Sequence, residues 1–194
     1  MTKKYKFVVI GSGPGGSVIG SEIANRGHKV LMIEKGDFIN LDKKIEFSTD
    51  EMITKYKNAG LTAMIGSPVI NYAEGSCVGG GSEINSGLYH RIPREVLDAW
   101  EKKNNILFDR DELNKAYNFV EKELSISNMP SEKMPKASKI LEKGCDKLGW
   151  ECSEIPRWYK YFEDGSSKKQ SMTETLIPKF LDSGGELKTK KEVL

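Results

Sequence analysis

The chain has 194 residues, of which 30 are basic and 28 acidic, so its net charge is only +2. The lysines are spread along the chain, which argues against nucleic-acid binding, and no stretch approaches the roughly twenty apolar residues of a membrane span. The three cysteines form no C-x-x-C pair, so neither a disulfide framework nor a zinc site is predicted. The apolar run behind the N-terminal lysines breaks at Gly11, too early for a signal peptide, and we expect a cytoplasmic protein.

Residues 7–36 predict a strand, a glycine turn, a helix and a second strand. Phe7 to Ile10 is a short apolar run, as expected for a parallel strand buried on both faces. The turn has the G-x-G-x-x-G spacing, in Gly11, Gly13, Pro14, Gly15 and Gly16. The first motif glycine allows the tight turn, the second lets the backbone approach a pyrophosphate, and the third permits helix-on-strand packing. Unpaired amides at the start of the helix would bind the pyrophosphate.

The helix after the turn is predicted to end at a left-handed Gly27 and to bury one apolar side, made of Val18, Ile19, Ile23 and Ala24. The second strand, Val30 to Ile33, ends at Glu34, close to the roughly twenty-residue spacing of an acid that binds a ribose diol. A carboxylate there repels a 2′-phosphate. NAD or the adenosine half of FAD is therefore favoured over NADP.

The stretch from Asp37 to Asn58 is a predicted polar excursion with a helix capped by Ser48 or Thr49, and Val69-Ile70 is strand-like. A second glycine-rich segment then covers residues 75–94. Its glycines indicate backbone passing close to a ligand, although a flexible surface loop is the alternative. They are Gly75, Gly79, Gly80, Gly81 and Gly87, and Ser82 and Asn85 add polar side chains.

The two glycine motifs together resemble the N-terminal part of the glucose-methanol-choline family of FAD-dependent oxidoreductases. In that family the first motif binds the ADP half of FAD, and the second, here Gly75 to Gly87, runs past the isoalloxazine. The resemblance implies flavin or ribityl contacts from Gly79, Gly80, Ser82 and Asn85. It also implies noncovalent FAD, because Ile84 stands where some relatives carry a flavin-linked histidine. Arg91-Ile92-Pro93 and Trp100 resemble the branch of cholesterol-oxidase-like and long-chain alcohol oxidase enzymes.

Residues 95–165 are predicted to be a mainly helical excursion. Helices are expected over Val96 to Lys103, Glu112 to Leu124 and Pro135 to Leu148, the last of them stopped by Gly149. One face of the third helix is apolar, with Ala137, Ile140, Leu141, Cys145 and Leu148. An aromatic cluster follows that is either core or part of a substrate-side wall, with core favoured. It contains Trp158, Tyr159, Tyr161 and Phe162.

The C-terminal stretch predicts a return to the sheet. Ser171 and Glu174 fit a capping box, Pro178 begins or kinks a short helix, and Gly184-Gly185 ends it. A strand is expected from Glu186 to Val193. By resemblance to the family, the backbone near Val193 lies beside the adenine.

The whole chain, 1–194, is thus predicted to be an α/β Rossmann-like FAD-binding region, a parallel sheet with helices that is incomplete and has a helical excursion. The family's catalytic histidine lies near the end of a longer chain, so we expect a fragment whose substrate domain is largely absent. Neither His28 nor His90 is predicted to be a base, and no catalytic residue is named. The apolar surface of the helices from Val96 onward is then expected to lie exposed.

Three functions are compatible with these features. The first is the FAD-binding portion of an oxidoreductase that transfers hydride from an alcohol to flavin N5, with a small-molecule alcohol and a separate C-terminal half as partners. The isolated chain would then turn over no alcohol. The second is a noncatalytic FAD-binding remnant. The third is an NAD-dependent dehydrogenase, against which the second glycine segment argues.

Overall fold

The computed structural model of the chain describes residues 3–39 and 48–194. The chain forms two compact units, the first made of Met1–Ser86 and Ser171–Leu194 and the second of Gly87–Gln170. The first glycine motif lies in the first unit, and so does the second motif as far as Ser86. Within the described ranges, no helix has the length and apolar character needed to cross a membrane.

A parallel three-stranded sheet organises the first unit, with β1 at Phe7–Ile10, β2 at Val30–Ile33 and β8 at Glu186–Lys188. The strand order is β1-β2-β8. In the register Phe7 lies opposite Val30 and Leu31 opposite Glu186, so all three strands end at the same edge. The predicted α/β fold, a parallel sheet with helices, is confirmed.

Strand β1 is buried on one face only, which corrects the prediction of a strand covered on both. Val9 is buried, and its side chain lies against the helix that follows the glycine turn. Val8 and Ile10 are 55% and 68% exposed. Alternate side chains of a strand point to opposite faces, so the face of β1 that carries Val8 and Ile10 is open to solvent.

Two helices pack together in the first unit, α1 at Pro14–Asn25 and α7 at Leu176–Asp182. The predicted apolar face of α1 is only partly confirmed: Ala24 is buried, Val18 and Ile23 are half-buried, and Ile19 is 52% exposed. The buried residues of α1 are all small: Ser17, Gly20, Ser21 and Ala24. A Cβ on Gly20 would lie 2.6 Å from Met32 Cε, so α1 approaches the sheet more closely than branched side chains would allow. Gly27 has the predicted left-handed conformation, with φ of +79°.

The excursion after β2 contains a helix and a hairpin. Residues 40–47 of the predicted polar stretch lie outside the described residues. Ser48 is the N-cap, since its hydroxyl accepts a hydrogen bond from Glu51 N at 3.2 Å, as predicted. The elements are α2 at Thr49–Lys55, a 3-10 turn at Lys57–Gly60, β3 at Thr62–Met64, β4 at Ile70–Tyr72 and α3 at Gly81–Ile84. Strand β3 was not predicted, and β4 extends past the predicted Val69-Ile70.

The C-terminal segment differs from the prediction at both ends. The N-cap of α7 is Thr175, and Ser171 instead closes a preceding turn in which its carbonyl accepts from Glu174 N at 3.0 Å. Strand β8 ends at Lys188 and does not run to Val193. Beyond Lys188 the backbone turns, with a left-handed Lys190 at φ of +54°. This turn ends the extended conformation that was expected to continue to Val193.

The second unit combines helices with a small antiparallel sheet. Its helices are α4 at Arg94–Asn104, α5 at Arg110–Glu123 and α6 at Lys136–Leu148, with a 3-10 turn at Ser131–Lys133. The three predicted helices are confirmed within two residues at either end. The predicted stop at Gly149 is also confirmed, and its conformation is left-handed. The sheet, β5-β6-β7, consists of Ile126–Ser127, Arg157–Tyr161 and Ser167–Lys169.

Two expectations about burial in the second unit have different outcomes. Most of the aromatic cluster lies on β6, where Trp158 is buried, whereas Phe162 just beyond the strand is exposed, so the cluster is only partly core. The expected exposure of apolar helix surface is confirmed for α6. Its Ile140, Leu141 and Leu148 are 70%, 66% and 64% exposed.

Candidate functional site

The first glycine turn lies at the carboxyl end of β1. Gly11 has a φ of +89°, and its amide donates to Ile33 O on β2 at 2.8 Å. A Cβ on Gly16 would lie 2.0 Å from Gly11 O, which no side chain could tolerate. The tight turn and the close packing of helix on strand therefore require glycine at Gly11 and Gly16.

Helix α1 starts inside this turn. Gly13 is its N-cap in an extended conformation, Pro14 is the first helical residue, and Ser17 N donates to Gly13 O at 2.9 Å. The amides of a first helical turn have no partner within the helix, and they carry the positive end of its dipole. Gly15 is exposed, and a Cβ added to it would meet nothing within 4 Å. The amide end of α1 is thus open on the side of Gly15.

The second glycine loop meets the first backbone to backbone. Gly79 and Gly80 have φ values of +89° and +55°. A Cβ on Gly80 would lie 3.0 Å from Gly13 Cα, and a Cβ on Gly75 would lie 2.5 Å from the Gly80 carbonyl. A side chain on Gly80 would separate the two loops, and one on Gly75 would disrupt the second loop itself. The structure therefore brings together the glycines of the two predicted cofactor motifs.

Ser82 and Asn85 stand in different surroundings. Ser82 is fully buried, and its hydroxyl donates to Gly79 O at 2.7 Å and accepts from Met172 N at 3.0 Å. Asn85 is exposed at the C-cap of α3. Ser82 thus holds the loop itself in shape. Its contact with a flavin, like that of Asn85, stays a prediction.

Glu34 is buried beside the first turn, with 8% of the residue exposed. One carboxylate oxygen accepts from Ser12 N at 2.8 Å and Ser12 Oγ at 2.7 Å, and the other accepts from Gly36 N at 2.8 Å. An ionised carboxylate has about four acceptor positions, so roughly one remains for a ribose hydroxyl. Glu34 therefore both orders the turn and keeps acceptor capacity for a ligand.

The segment that ends at Val193 runs along the same sheet edge. Lys190 N donates to Gly36 O and Lys191 N donates to Glu34 O, each at 3.0 Å. Val193, two residues farther on, is 45% exposed. The structure therefore brings the backbone that leads to Val193 beside Glu34, although no strand continues there.

Three features of this site were not found from the sequence. Ser12 bridges Glu34 and the second loop, since Gly79 N donates to Ser12 Oγ at 3.1 Å. Glu83 accepts from Thr173 Oγ1 at 2.9 Å and so ties the second loop to the turn before α7. Cys77 is fully buried. Ser12 occupies a variable position of the glycine motif, and the Glu83 contact joins distant parts of the chain, so neither carries a local signal.

The chemistry of Cys77 follows from its burial. Loss of solvation, helped by the negative charges of Glu83 and Glu34, raises the pKa of the Cys77 thiol to about 12. The thiol therefore stays protonated at neutral pH and is not a nucleophile. Cys77 instead packs against Gly36, on which a Cβ would lie 2.4 Å from Cys77 Cα.

His28 lies away from this site. His28 precedes β2, and its ring lies 5.4 Å from that of Phe7 at the amino end of the strands, opposite the glycine turn. His90 belongs to the second unit and is exposed. In the ranges 3–39 and 48–194 no group of three or more His, Cys, Asp or Glu residues is placed to hold a metal ion.

Two known protein families match stretches of this chain. Residues 52–193 match the family described as GMC oxidoreductase, and residues 9–41 match an NAD(P)-binding Rossmann-like domain. The chain belongs to the GMC oxidoreductase family. The resemblance inferred from the two glycine motifs is thereby confirmed, and the GMC family generally uses FAD.

Individual members of the GMC family are similar to this chain. An uncharacterized GMC-type oxidoreductase of Sinorhizobium fredii is 36% identical over 96% of this chain and 38% of its own length. Two long-chain-alcohol oxidases of Arabidopsis thaliana are 33% and 35% identical, over 79% and 77% of this chain and 20% of their own lengths. The chain therefore spans well under half the length of these GMC relatives.

Proposed function

We propose that this chain is the FAD-binding part of an oxidoreductase that acts on the CH–OH group of an alcohol. The observation that carries the proposal is the meeting of two glycine loops, Gly13 against Gly80, at the sheet edge where Glu34 is buried. Ligands of open α/β sheets bind at the carboxyl ends of the strands. The loops and the acid share that edge.

The residues present fit a dinucleotide. The amide end of α1 would hold the pyrophosphate, because it offers N–H donors and the positive end of the helix dipole beside an exposed Gly15. Glu34 would accept a ribose hydroxyl at its remaining acceptor position. Val193 lies on a backbone that passes Glu34, which supports adenine placement at that end.

The choice among dinucleotides rests on charge and on the second loop. A buried carboxylate at Glu34 disfavours the 2′-phosphate of NADP. The glycine loop around Gly79 and Gly80 meets the pyrophosphate turn at Gly13, so a ligand bound at that turn would extend past this second loop. We therefore propose FAD, with Gly79, Gly80, Ser82 and Asn85 on the flavin side. The bound FAD would be noncovalent, since Ile84 cannot form a histidyl bond.

When bound, FAD would supply the redox chemistry, as the acceptor of a hydride from the carbinol carbon. The described residues bind and orient the cofactor, and we assign none of them as the base. The alcohol donor is proposed by likeness to the two long-chain-alcohol oxidases. The C-terminal part of such enzymes would complete the substrate side.

A charge reversal at Glu34 tests the proposed nucleotide site. Glu34→Arg should weaken FAD binding by roughly 2 to 4 kcal/mol, because it removes a buried charged acceptor and leaves its donors unpaired. Glu22→Arg is the matched control: it makes the same charge change on the partly exposed flank of α1, where Glu22 pairs only loosely with Arg26 at 3.5 Å. Calorimetry that gives the two variants equal FAD affinity would remove Glu34 from the site.

Acid precipitation tests the mode of attachment. Protein loaded with FAD should release its yellow colour into the supernatant when it is denatured, because no side chain at Ile84 can hold the flavin covalently. Colour that stays in the pellet would contradict noncovalent binding. Apoprotein carried through the same steps provides the blank.

A further inference from the structure

Ser12 lies between the two glycine loops and is fully buried. Its hydroxyl donates to Glu34 Oε2 at 2.7 Å and accepts from Gly79 N at 3.1 Å. A serine hydroxyl has only one hydrogen. Because the carboxylate cannot donate and the amide cannot accept, the direction of both hydrogen bonds is fixed. Ser12 therefore connects the acid of the first loop to the backbone of the second.

The connection continues through the second loop. Gly79 O accepts from Ser82 Oγ at 2.7 Å, and Ser82 Oγ accepts from Met172 N at 3.0 Å. Ser12 and Ser82 are both fully buried, and so is Met172 to within 2%. Gly79 is thus held at its amide by one serine hydroxyl and at its carbonyl by another. A buried chain of hydrogen bonds leads from Glu34 to the turn before α7.

We propose that Ser12 is a positioning residue that couples recognition of the adenosine end of the cofactor at Glu34 to the shape of the second loop at its flavin end. The inference rests on the proposed FAD function. Hydrogen bonds to a charged group polarise the hydroxyl and strengthen its second bond in a low-dielectric interior. A ligand hydroxyl at Glu34 and the peptide at Gly79 therefore share one hydrogen-bonded network.

The coupling can be measured by comparing FAD with ADP, a ligand that lacks the flavin. Ser12→Ala removes the hydroxyl and leaves Gly79 N without its acceptor. The dissociation constant for FAD should rise by about tenfold or more, and that for ADP by a clearly smaller factor. Ser21→Ala is the matched control, because its buried hydroxyl bonds within α1, to Val18 O at 3.0 Å. It should leave the FAD to ADP affinity ratio unchanged.

The outcomes separate the inference from the function on which it rests. Wild-type protein that binds neither FAD nor ADP would contradict the proposed function. If the wild type binds both ligands, the coupling is overturned when Ser12→Ala raises the dissociation constants for FAD and ADP by the same factor. It is also overturned when Ser12→Ala leaves both dissociation constants unchanged. A drop in melting temperature with the affinity ratio kept would show a merely structural role and also overturn it.

A second measurement needs no variant, in case Ser12→Ala does not fold. Hydrogen exchange of the Gly79 amide in the wild-type protein should be slow, since its acceptor is a fully buried hydroxyl. Addition of ADP should slow it further, because the ligand engages Glu34 at the other end of the network. Fast exchange at Gly79, or exchange that ADP does not alter, would contradict the proposal.

Discussion

The two units of the chain differ in where their apolar and polar side chains lie. The ten largest fully buried side chains among the described residues all belong to the first unit, and they include Ser12, Ser17 and Ser82 beside Phe180 and Met32. The second unit instead exposes the apolar face of α6. The first unit has a fully buried core beside the two glycine loops, and the second leaves the apolar face of α6 exposed.

The largest effect is expected from a single methyl group at the turn of the first unit. Gly16→Ala would place a Cβ 2.0 Å from Gly11 O, and backbone cannot yield to it as a flexible side chain would. We predict a loss of roughly 3 kcal/mol or more in the free energy of unfolding. Chemical denaturation measures it.

Gly15→Ala, one residue away, is the control for this prediction. The added Cβ would meet nothing within 4 Å, so its effect on stability should stay within about 1 kcal/mol. Equal stabilities of the two variants would mean that the helix does not pack on the turn as described.

Truncation of one large apolar side chain in each unit compares their packing directly. Met32→Ala removes a fully buried side chain beneath Gly20 and should cost roughly 2 to 4 kcal/mol. Ile140→Ala on α6 removes a side chain that is 70% exposed and should cost less than about 0.5 kcal/mol. Thermal unfolding of both variants is the measurement. A large loss from Ile140→Ala would show that the α6 face is covered in solution.

A smaller effect of opposite sign is expected within α6. Gly144 lies inside this helix, and an added Cβ would meet nothing within 4 Å. Gly144→Ala should therefore stabilise the second unit by roughly 0.5 to 1 kcal/mol, because alanine loses less backbone entropy in a helix. Gly149→Ala is the contrasting variant, since Gly149 is left-handed at φ of +65°. Stabilisation by both would contradict the helix end at Gly149.

Local rules made much of this fold predictable. The G-x-G-x-x-G spacing indicated the turn, and Glu34 at the end of β2 was placed by the length of one strand–helix–strand unit. Gly27 was expected to end its helix in a left-handed conformation, and Gly149 was expected to stop α6. Both glycines end their helices with positive φ, a conformation that favours glycine. These signals lie within a few residues of the feature that they predict.

The remaining features depend on partners far away in the chain. The buried face of α1 consists of small residues because Met32 and Phe180 lie beneath Gly20, which hydrophobic periodicity cannot reveal. Ser12 gains its role only when Gly79 folds against it, 67 residues later. The exposure of α6 is likewise a tertiary property, since its amphipathic pattern is that of a helix buried on one side.

The most direct test of the central claim is a calorimetric titration of FAD into wild-type protein and Gly13→Ala. An alanine Cβ at Gly13 would lie 4.0 Å from Gly80 Cα, an ordinary contact, and the φ of −66° suits any residue, so the variant should fold with an unchanged melting temperature. Its methyl group would occupy the space between the loops through which the pyrophosphate must approach the backbone. We predict that wild-type protein binds FAD and that folded Gly13→Ala does not. Equal FAD binding by both proteins, or no binding by the wild type, would contradict the account.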